Sequence, residues 1–299
     1  MSAGLANISL ETHGLTFSAR VSGPTDGELV LLLHGFPDNA DTFGSQMTAL
    51  GDVGYRCIAP TMRGYEPSSQ PVDGDYSLMT LANDVVGWLD FLGSDRAHVV
   101  GHDWGAAVTY VLAAHHGQRV QSATTMAVPP LPRIPDALRH VPRQLALSWY
   151  MTFFQLPGVP EAAIQAGDAT LLRWFWRKWS PATTMPDSVV ASFRRPGVVA
   201  SALEYYRQNA TPQLLLGVHS NPATEIKAAG TPMLVLHGDQ DGCMDARLFA
   251  HTVLAEDFPL GLRRETLAGV GHFLHREAPD QVNTLLLEWL GEHGSAGPA

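Results

Sequence analysis

Four short stretches of this chain put reactive side chains just after strand-like runs. The sharpest is Gly101-His102-Asp103-Trp104-Gly105, which follows Val99-Val100 and precedes a helix-like run. Glycines two before and two after the middle residue allow a tight strand-to-helix turn. Such a turn pushes the central side chain outward and aims the next backbone N–H at the same spot. The central residue is Asp103, and no G-x-S-x-G or G-x-C-x-G competes with it. Asp103 is therefore the candidate nucleophile, set against the plainer reading of a helix-capping aspartate. Residue frequencies give a G-x-D-x-G by chance in roughly one such chain in ten, so the strand–turn–helix context carries the reading.

The second stretch, His34-Gly35-Phe36-Pro37-Asp38, follows Leu29-Val30-Leu31-Leu32-Leu33. It can bring the Phe36 N–H to the spot that the Trp104 N–H faces, and two such donors stabilise a developing oxyanion. His34 reads as a structural residue that hydrogen-bonds its own loop, and Pro37 as a candidate for a cis bond. The third and fourth stretches are Gly238-Asp239-Gln240-Asp241 and Gly269-Val270-Gly271-His272-Phe273. With 13 histidines in the chain, position singles out His272: a glycine-rich turn exposes it between the last strand and the last helix. The chain order is then nucleophile, acid, histidine. Asp241 is the acid expected to fix the His272 tautomer and stabilise its charged form, with Asp239 as rival. His272-x-x-His275 and Asp239-x-Asp241-Gly242 have ligand-like spacing, but they lack the helix context and further ligands a metal site needs. No metal or other cofactor is expected.

These groups need a frame that delivers several strand ends to one edge. Residues 7–12 and 14–22 alternate like a half-exposed antiparallel pair. The unbroken apolar run at 29–33 suits a strand buried on both faces. Strands are also expected at 55–59, 99–100, 120–128, 234–238 and 262–268. Helices are expected at 77–92, 104–116, near 245–255 and at 279–290. Five prolines between 129 and 142 mark an exit from the sheet, and residues 135–225 read as helical and aromatic-rich. The pattern predicts an α/β fold: a mostly parallel sheet with helices on both faces and a helical insert over one end. Open sheets of this kind bind ligands at the carboxyl ends of their strands, where the four stretches lie. The tail after 290 reads as frayed.

Composition excludes other classes. The chain has 299 residues, 45% hydrophobic and 16% charged, which rules out general disorder. Its formal net charge of −10 disfavours non-specific nucleic-acid binding. Cys57 and Cys243 are too few for a disulfide framework, and Cys57 reads as an inert thiol in a buried strand. The first residues lack a signal-peptide pattern, and no apolar run reaches the length of about 18 residues that a membrane span needs. A cytoplasmic protein acting on a small molecule, without nucleic-acid or membrane partners and as a monomer or homodimer, is the expectation.

The chain resembles the epoxide hydrolase branch of the α/β-hydrolase fold superfamily. HGFPD at 34–38, RGY at 63–65, WYMTFFQLPG at 149–158, GHDWGA at 101–106 and GVGHFLHREAP at 269–279 carry the likeness, which spans about residues 10–290. The resemblance implies an eight-stranded core domain, 1–132 and 227–299, with a helical cap, 133–226, inserted after the sixth strand. It implies two cap tyrosines that donate hydrogen bonds to an epoxide oxygen. Tyr150 matches the first, fixed by the Phe154-Gln155 that follows; Tyr206 matches the second best, with Tyr205 as fallback. Phe36, Trp104, Tyr150, Tyr206 and Phe154 are the expected substrate contacts.

An epoxide has no carbonyl for a serine to attack. Its strained carbon needs a nucleophile and its oxygen a proton, which a carboxylate and neutral phenols supply. The expected product is a vicinal diol, formed through an Asp103 alkyl ester that water, deprotonated by His272, then hydrolyses. Haloalkane dehalogenases are the nearest alternative, because they share the Asp nucleophile but hold a halide instead. A non-catalytic ligand-binding protein on the same fold is the other. The cap's Trp149, Phe153, Phe154, Trp174, Phe175, Trp176 and Trp179 point to apolar aryl or alkyl epoxides.

Overall fold

A computed structural model describes residues 5–218 and 230–294. The first third of the chain supplies β1 (Ala6–Thr12), β2 (Leu15–Ser22), β3 (Leu29–Leu33), α1 (Gly44–Asp52), β4 (Arg56–Pro60) and α2 (Leu78–Phe91). Next come β5 (Ala97–His102), α3 (Trp104–His115) and β6 (Val120–Met126). After the cap, the chain returns through β7 (Met233–Gly238) and β8 (Leu262–Leu267). The eight strands form one sheet in the order β1-β2-β4-β3-β5-β6-β7-β8. Only β2 runs against its neighbours β1 and β4; every other pairing is parallel.

The apolar run of β3 shows why the sheet is covered on both sides. Leu31 and Leu33 join the core under α2 and α3, while Val30 and Leu32 face the opposite core. Successive strand side chains alternate in this way, so a strand buried on both faces must be apolar throughout. In α2 the Ser77 hydroxyl accepts from the Thr80 N–H and caps the helix, and Leu78, Leu81, Val85, Trp88 and Leu89 are buried. Trp88 meets Phe17 of β2 edge-to-face at 5.1 Å. Helix α1 was not anticipated. Its sequence, GSQMTALGD, has glycines near both ends and only three buried positions, so no strong apolar period announces it.

Between β6 and β7 the described chain contains α4 (Ile134–Ala137), α5 (Arg143–Leu147), α6 (Trp149–Phe153), α7 (Val159–Gln165), α8 (Thr170–Trp179), α9 (Asp187–Phe193), α10 (Val198–Asn209) and α11 (Pro212–Leu215). No strand occurs there among the described residues. The expected cap start, 133, falls in a single 3-10 turn, Leu131–Arg133. The expected return at 227 lies outside the described residues, as do the last five residues of the tail. The cap is bonded to the core. Tyr205 donates to the Arg63 carbonyl at 2.8 Å, Tyr76 donates to Ser201 Oγ at 2.8 Å, and the Leu78 N–H donates to Asn209 Oδ1 at 2.9 Å. Arg63 itself is fixed by a buried ion pair with Asp84 at 2.5 Å. After β7 come α12 (Leu248–Thr252), then, beyond β8, α13 (Leu274–Glu277) and α14 (Pro279–Glu292). Helix α12 has half the expected length, and α14 runs two residues further than expected. No helix among the described residues is long and apolar enough to cross a membrane.

Candidate active site

Asp103 sits at the turn from β5 into α3 with φ 53° and ψ −116°. A non-glycine residue there stores about 1–3 kcal/mol of backbone strain, which the surrounding structure must hold. The flanking glycines make the turn possible by close approach. A Cβ on Gly105 would lie 2.0 Å from the Leu33 carbonyl oxygen, and one on Gly101 would lie 2.2 Å from the Gly105 oxygen. The β3 loop then folds over the turn. The Phe36 N–H donates to Asp103 Oδ1 at 2.7 Å. A Cβ on Gly35 would lie 2.3 Å from that oxygen and 2.6 Å from the Trp104 nitrogen, so both backbone nitrogens border one small space. The Phe36–Pro37 bond is cis. His34 stays in its loop: its Nδ1 lies 3.1 Å from the Gly35 oxygen and its Nε2 accepts from the Met62 N–H at 3.0 Å.

The other oxygen of Asp103 faces the imidazole. His272 Nε2 lies 3.4 Å from Asp103 Oδ2, and His272 Nδ1 lies 2.8 Å from Asp241 Oδ2. Asp239 is elsewhere, accepting from the Gly269 N–H at 2.7 Å. Complete burial by itself would make His272 a weaker base, but the Asp241 and Asp103 carboxylates outweigh it and lift its pKa to about 10. Asp241 is held in turn, because its Oδ1 accepts from the N–H groups of Cys243 and Met244 at 2.6 and 3.0 Å. The cap ties both loops together: the Trp179 carbonyl, at the end of α8, accepts from His272 N–H at 2.9 Å and Gly242 N–H at 3.2 Å. A helix-terminal carbonyl without an intrahelical partner does this work.

A cavity of about 280 Å³ opens above these groups. Asp103 and Trp104 form its floor, and Tyr150 and Tyr206 hang from the cap. The two phenol rings are 5.8 Å apart and nearly perpendicular. Tyr150 shares a 3.3 Å hydrogen bond with Cys243 Sγ. The Tyr206 hydroxyl is buried without a well-formed hydrogen bond, as is the indole N–H of Trp104 beside it. Burial, then the nearby Cys243 and Asp103, raise both phenols well above the ordinary tyrosine value, so each remains a neutral O–H donor. Tyr205, the fallback, does not line the cavity; its hydroxyl points to Arg63.

Two expected substrate contacts come out differently. The rings of Phe36 and Phe154 do not form the cavity wall. They pack edge-to-face on each other at 5.5 Å, and on Tyr206 at 5.4 and 5.0 Å, one layer behind it. Conversely, the sequence reading overlooked Cys243, Met244 and Gln144 on the wall. The only sequence signal for Cys243 was its position two residues after the acid, where the turn accepted by Asp241 sends its side chain back inward.

Two clusters of potential metal-ligating atoms exist among the described residues. Neither is the His272-x-x-His275 pair weighed from spacing. His275 turns away, stacks on Phe43 and bonds Thr42, and it faces Asp38 and His102. There, burial raises Asp38 to about 7, lowers His102 to about 3 and lowers His275 well below the usual range. His102 in turn lies 3.0 Å from the His272 carbonyl, so this cluster supports the backbone of His272. The other cluster is Asp241, Cys243 and His272.

With this geometry in place, likeness to known proteins becomes informative. Residues 28–279 match the family described as alpha/beta hydrolase fold. The chain is 31% identical to epoxide hydrolase A of Mycobacterium tuberculosis over 94% of this chain and 96% of that protein. It is 30% identical to the AB hydrolase superfamily protein YfhM of Bacillus subtilis, again over 94% of this chain and 96% of the relative. Among solved structures, a Bacillus megaterium epoxide hydrolase in complex with an inhibitor superposes with a TM-score of 0.82 at 26% identity, covering 95% of this chain and all of that one. The chain belongs to the epoxide hydrolase family of the α/β-hydrolase fold superfamily.

Proposed function

We propose that the protein hydrolyses epoxides to vicinal diols through an ester on Asp103, and that its substrates are apolar aryl or alkyl epoxides. The observation that carries this reading is the shared cavity: the Asp103 carboxylate at the floor and two neutral phenols above it, one with its hydroxyl uncommitted. A bound epoxide accepts hydrogen bonds from Tyr150 and Tyr206 at its oxygen. Asp103 Oδ2 attacks a ring carbon from below, the C–O bond of the ring breaks, and a phenol protonates the departing alkoxide. Oδ1 stays in the space bordered by the Phe36 and Trp104 N–H groups and becomes the ester carbonyl oxygen. Alkylation removes the Asp103 charge, one of the influences that keep the His272 proton in place. The imidazole gives up that proton to restore the phenol that protonated the alkoxide, and then takes one from water, which attacks the ester carbonyl. The oxyanion grows on Oδ1 against the two N–H groups, where losing one such donor typically costs about 3 kcal/mol. The diol leaves with Oδ2.

The wall supports an apolar substrate. Ala107, Val128, Leu131, Ile134 and Leu214 line it, and its amides are already engaged. Gln144 bonds Ser148, the Cys243 carbonyl and the Asp245 N–H; Asn209 bonds Tyr76, Tyr205 and Leu78. The indole N–H of Trp104, held only by a loose contact with the Tyr206 hydroxyl, is the one feature that favours halide binding instead. Mass spectrometry of a His272→Gln variant mixed with styrene oxide, and separately with a chloroalkane, decides between them. The expected result is a stable adduct on Asp103 with the epoxide alone. An adduct with the chloroalkane alone, or on another residue, overturns the proposal. Preference for charged, hydrophilic epoxides in a substrate panel overturns its apolar part.

A further inference from the structure

The reaction outlined above makes no use of Cys243, yet this thiol is buried 1% exposed against the cavity, between the acid that orients His272 and the phenol of Tyr150. A carboxylate oxygen of Asp241, the Cys243 sulfur and an imidazole nitrogen of His272 all lie within 4.8 Å of one another. His272 Nδ1 is the nitrogen beside Asp241, 2.8 Å from its Oδ2, while Nε2 on the other edge of the ring faces Asp103. We propose that Asp241, Cys243 and His272 form a binding site for a soft divalent cation, zinc or cadmium in kind, and that filling it stops turnover.

Thiolate, imidazole and carboxylate are the ligand types such ions take. Zinc bonds of about 2.0–2.3 Å hold tetrahedral ligand atoms roughly 3.3–3.7 Å apart, so Asp241 Oδ2 and His272 Nδ1, now 2.8 Å apart, open slightly around the ion while the Cys243 sulfur turns onto it. The cavity side of the ion stays open to water, since Cys243 lines the cavity. The charge balance is favourable. Binding expels the thiol proton of Cys243 and the imidazolium proton of His272 to solvent, and a dication takes the place of two unit charges. Net charge in this buried site is unchanged, and its full desolvation penalty is avoided. The ion enters by the substrate's own route, because Cys243 and Asp103 line the same cavity. Cys57 offers an internal comparison: it is buried in β4 and belongs to neither ligand cluster among the described residues.

Loss of turnover rests on the epoxide reading above; binding does not. Cobalt(II) is the probe for binding, through its thiolate-to-metal charge-transfer absorption, and zinc(II) is the probe for inhibition, each protein being compared with its own metal-free rate. The wild-type protein is expected to develop the band at one equivalent, and Cys243→Ala to lack it. His272→Gln is expected to weaken cobalt binding at least tenfold, and Cys243→Ala to raise the zinc concentration for half-inhibition at least tenfold. A band that persists in Cys243→Ala, or zinc inhibition equal in the two proteins, overturns the site. A Cys243-dependent band that leaves turnover intact overturns the claim that the ion engages His272. A metal-free protein that turns over no epoxide sinks the functional reading, while the cobalt band still tests the site.

Discussion

The floor and the roof of the cavity hold their polar groups by different means. On the floor, Asp103, His272 and Asp241 are each pinned by hydrogen bonds of about 2.6–3.0 Å, on turns at strand ends, with a strained backbone at Asp103. In the roof, Tyr150 and Tyr206 sit on the cap helices α6 and α10 and are positioned by rings: Phe154, Phe175 and Trp179 around one, Phe36, Trp104 and Phe154 around the other. Their hydroxyls carry a weak sulfur contact or none. The difference follows the chemistry asked of each. Groups that change charge need fixed dipoles around them, which cost no reorganisation as the reaction proceeds. Donors that must accept a visiting oxygen need free hydroxyls on a scaffold held by packing alone.

The largest expected effects therefore lie on the floor. Asp103→Ala should lower kcat by at least about 10⁴-fold, since removal of a nucleophile defeats the unit it belongs to. Intact-protein mass spectrometry should find no adduct. A variant retaining a tenth of the activity would place the nucleophile elsewhere.

Asp241→Asn should come next. Replacing an acid that orients a histidine costs about 10⁴-fold in a serine hydrolase, and a loss of about 10²–10⁴-fold in ester hydrolysis is expected here. The pH dependence sharpens the test. In the free protein two carboxylates hold the His272 pKa at about 10; in the ester only Asp241 remains charged. Ester hydrolysis, followed in single turnovers, should rise with pH to a plateau whose midpoint lies below 10. In Asp241→Asn that midpoint should fall further, since the last opposing charge is gone. An unmoved midpoint would show that Asp241 does not set the basicity of His272. The same shift affects folding. A pKa raised from 6.5 contributes stability that is complete below pH 6.5 and is lost as pH climbs toward 10. The difference in Tm between wild type and His272→Gln should therefore shrink over that range.

Roof variants should be milder. Two phenols share one oxygen, so Tyr150→Phe or Tyr206→Phe should each slow ester formation about tenfold, and the double variant by about 10²–10⁴-fold, the usual worth of general acid catalysis. Hydrolysis of a preformed ester should be unaffected, because no step of it uses a phenol. Rapid-quench separation of the two steps checks this, and an equal loss in both would erase the distinction between floor and roof.

The floor was also the more legible half in sequence. Asp103, Phe36, Asp241 and His272 follow strands, apolar ones for the first three, and stand among glycines, and a parallel sheet delivers such strand ends to one edge. The roof required a resemblance, since an aromatic residue on a cap helix looks alike in core and in cavity. Tyr205 and Tyr206 illustrate this, as do Phe36 and Phe154, whose rings proved to support the wall instead of forming it. The cavity position of Cys243 and the surroundings of His275 were not legible for a related reason. Where each side chain points depends on the turn that Asp241 closes and on the far loop at Thr42, neither of which has a periodicity to read.

The adjacent tyrosines of α10 give the smallest effect on rate and a direct separation of structure from chemistry. Tyr205 donates to the Arg63 carbonyl across the cap–core boundary, and Tyr206 donates to nothing in the folded protein. Removing a made, buried bond leaves a carbonyl short of a partner and costs about 1–3 kcal/mol. Removing an unmade one relieves a desolvated hydroxyl and should be neutral or stabilising. Tyr205→Phe should therefore lower the denaturation midpoint while keeping kcat within about twofold of wild type. Tyr206→Phe should keep or raise the midpoint while slowing ring opening. Denaturant titration beside single-turnover kinetics reads both quantities on the same preparations. If Tyr205→Phe slows ring opening as much as Tyr206→Phe does, the roof is not a pair of independent donors, and packing across α10 governs the reaction instead.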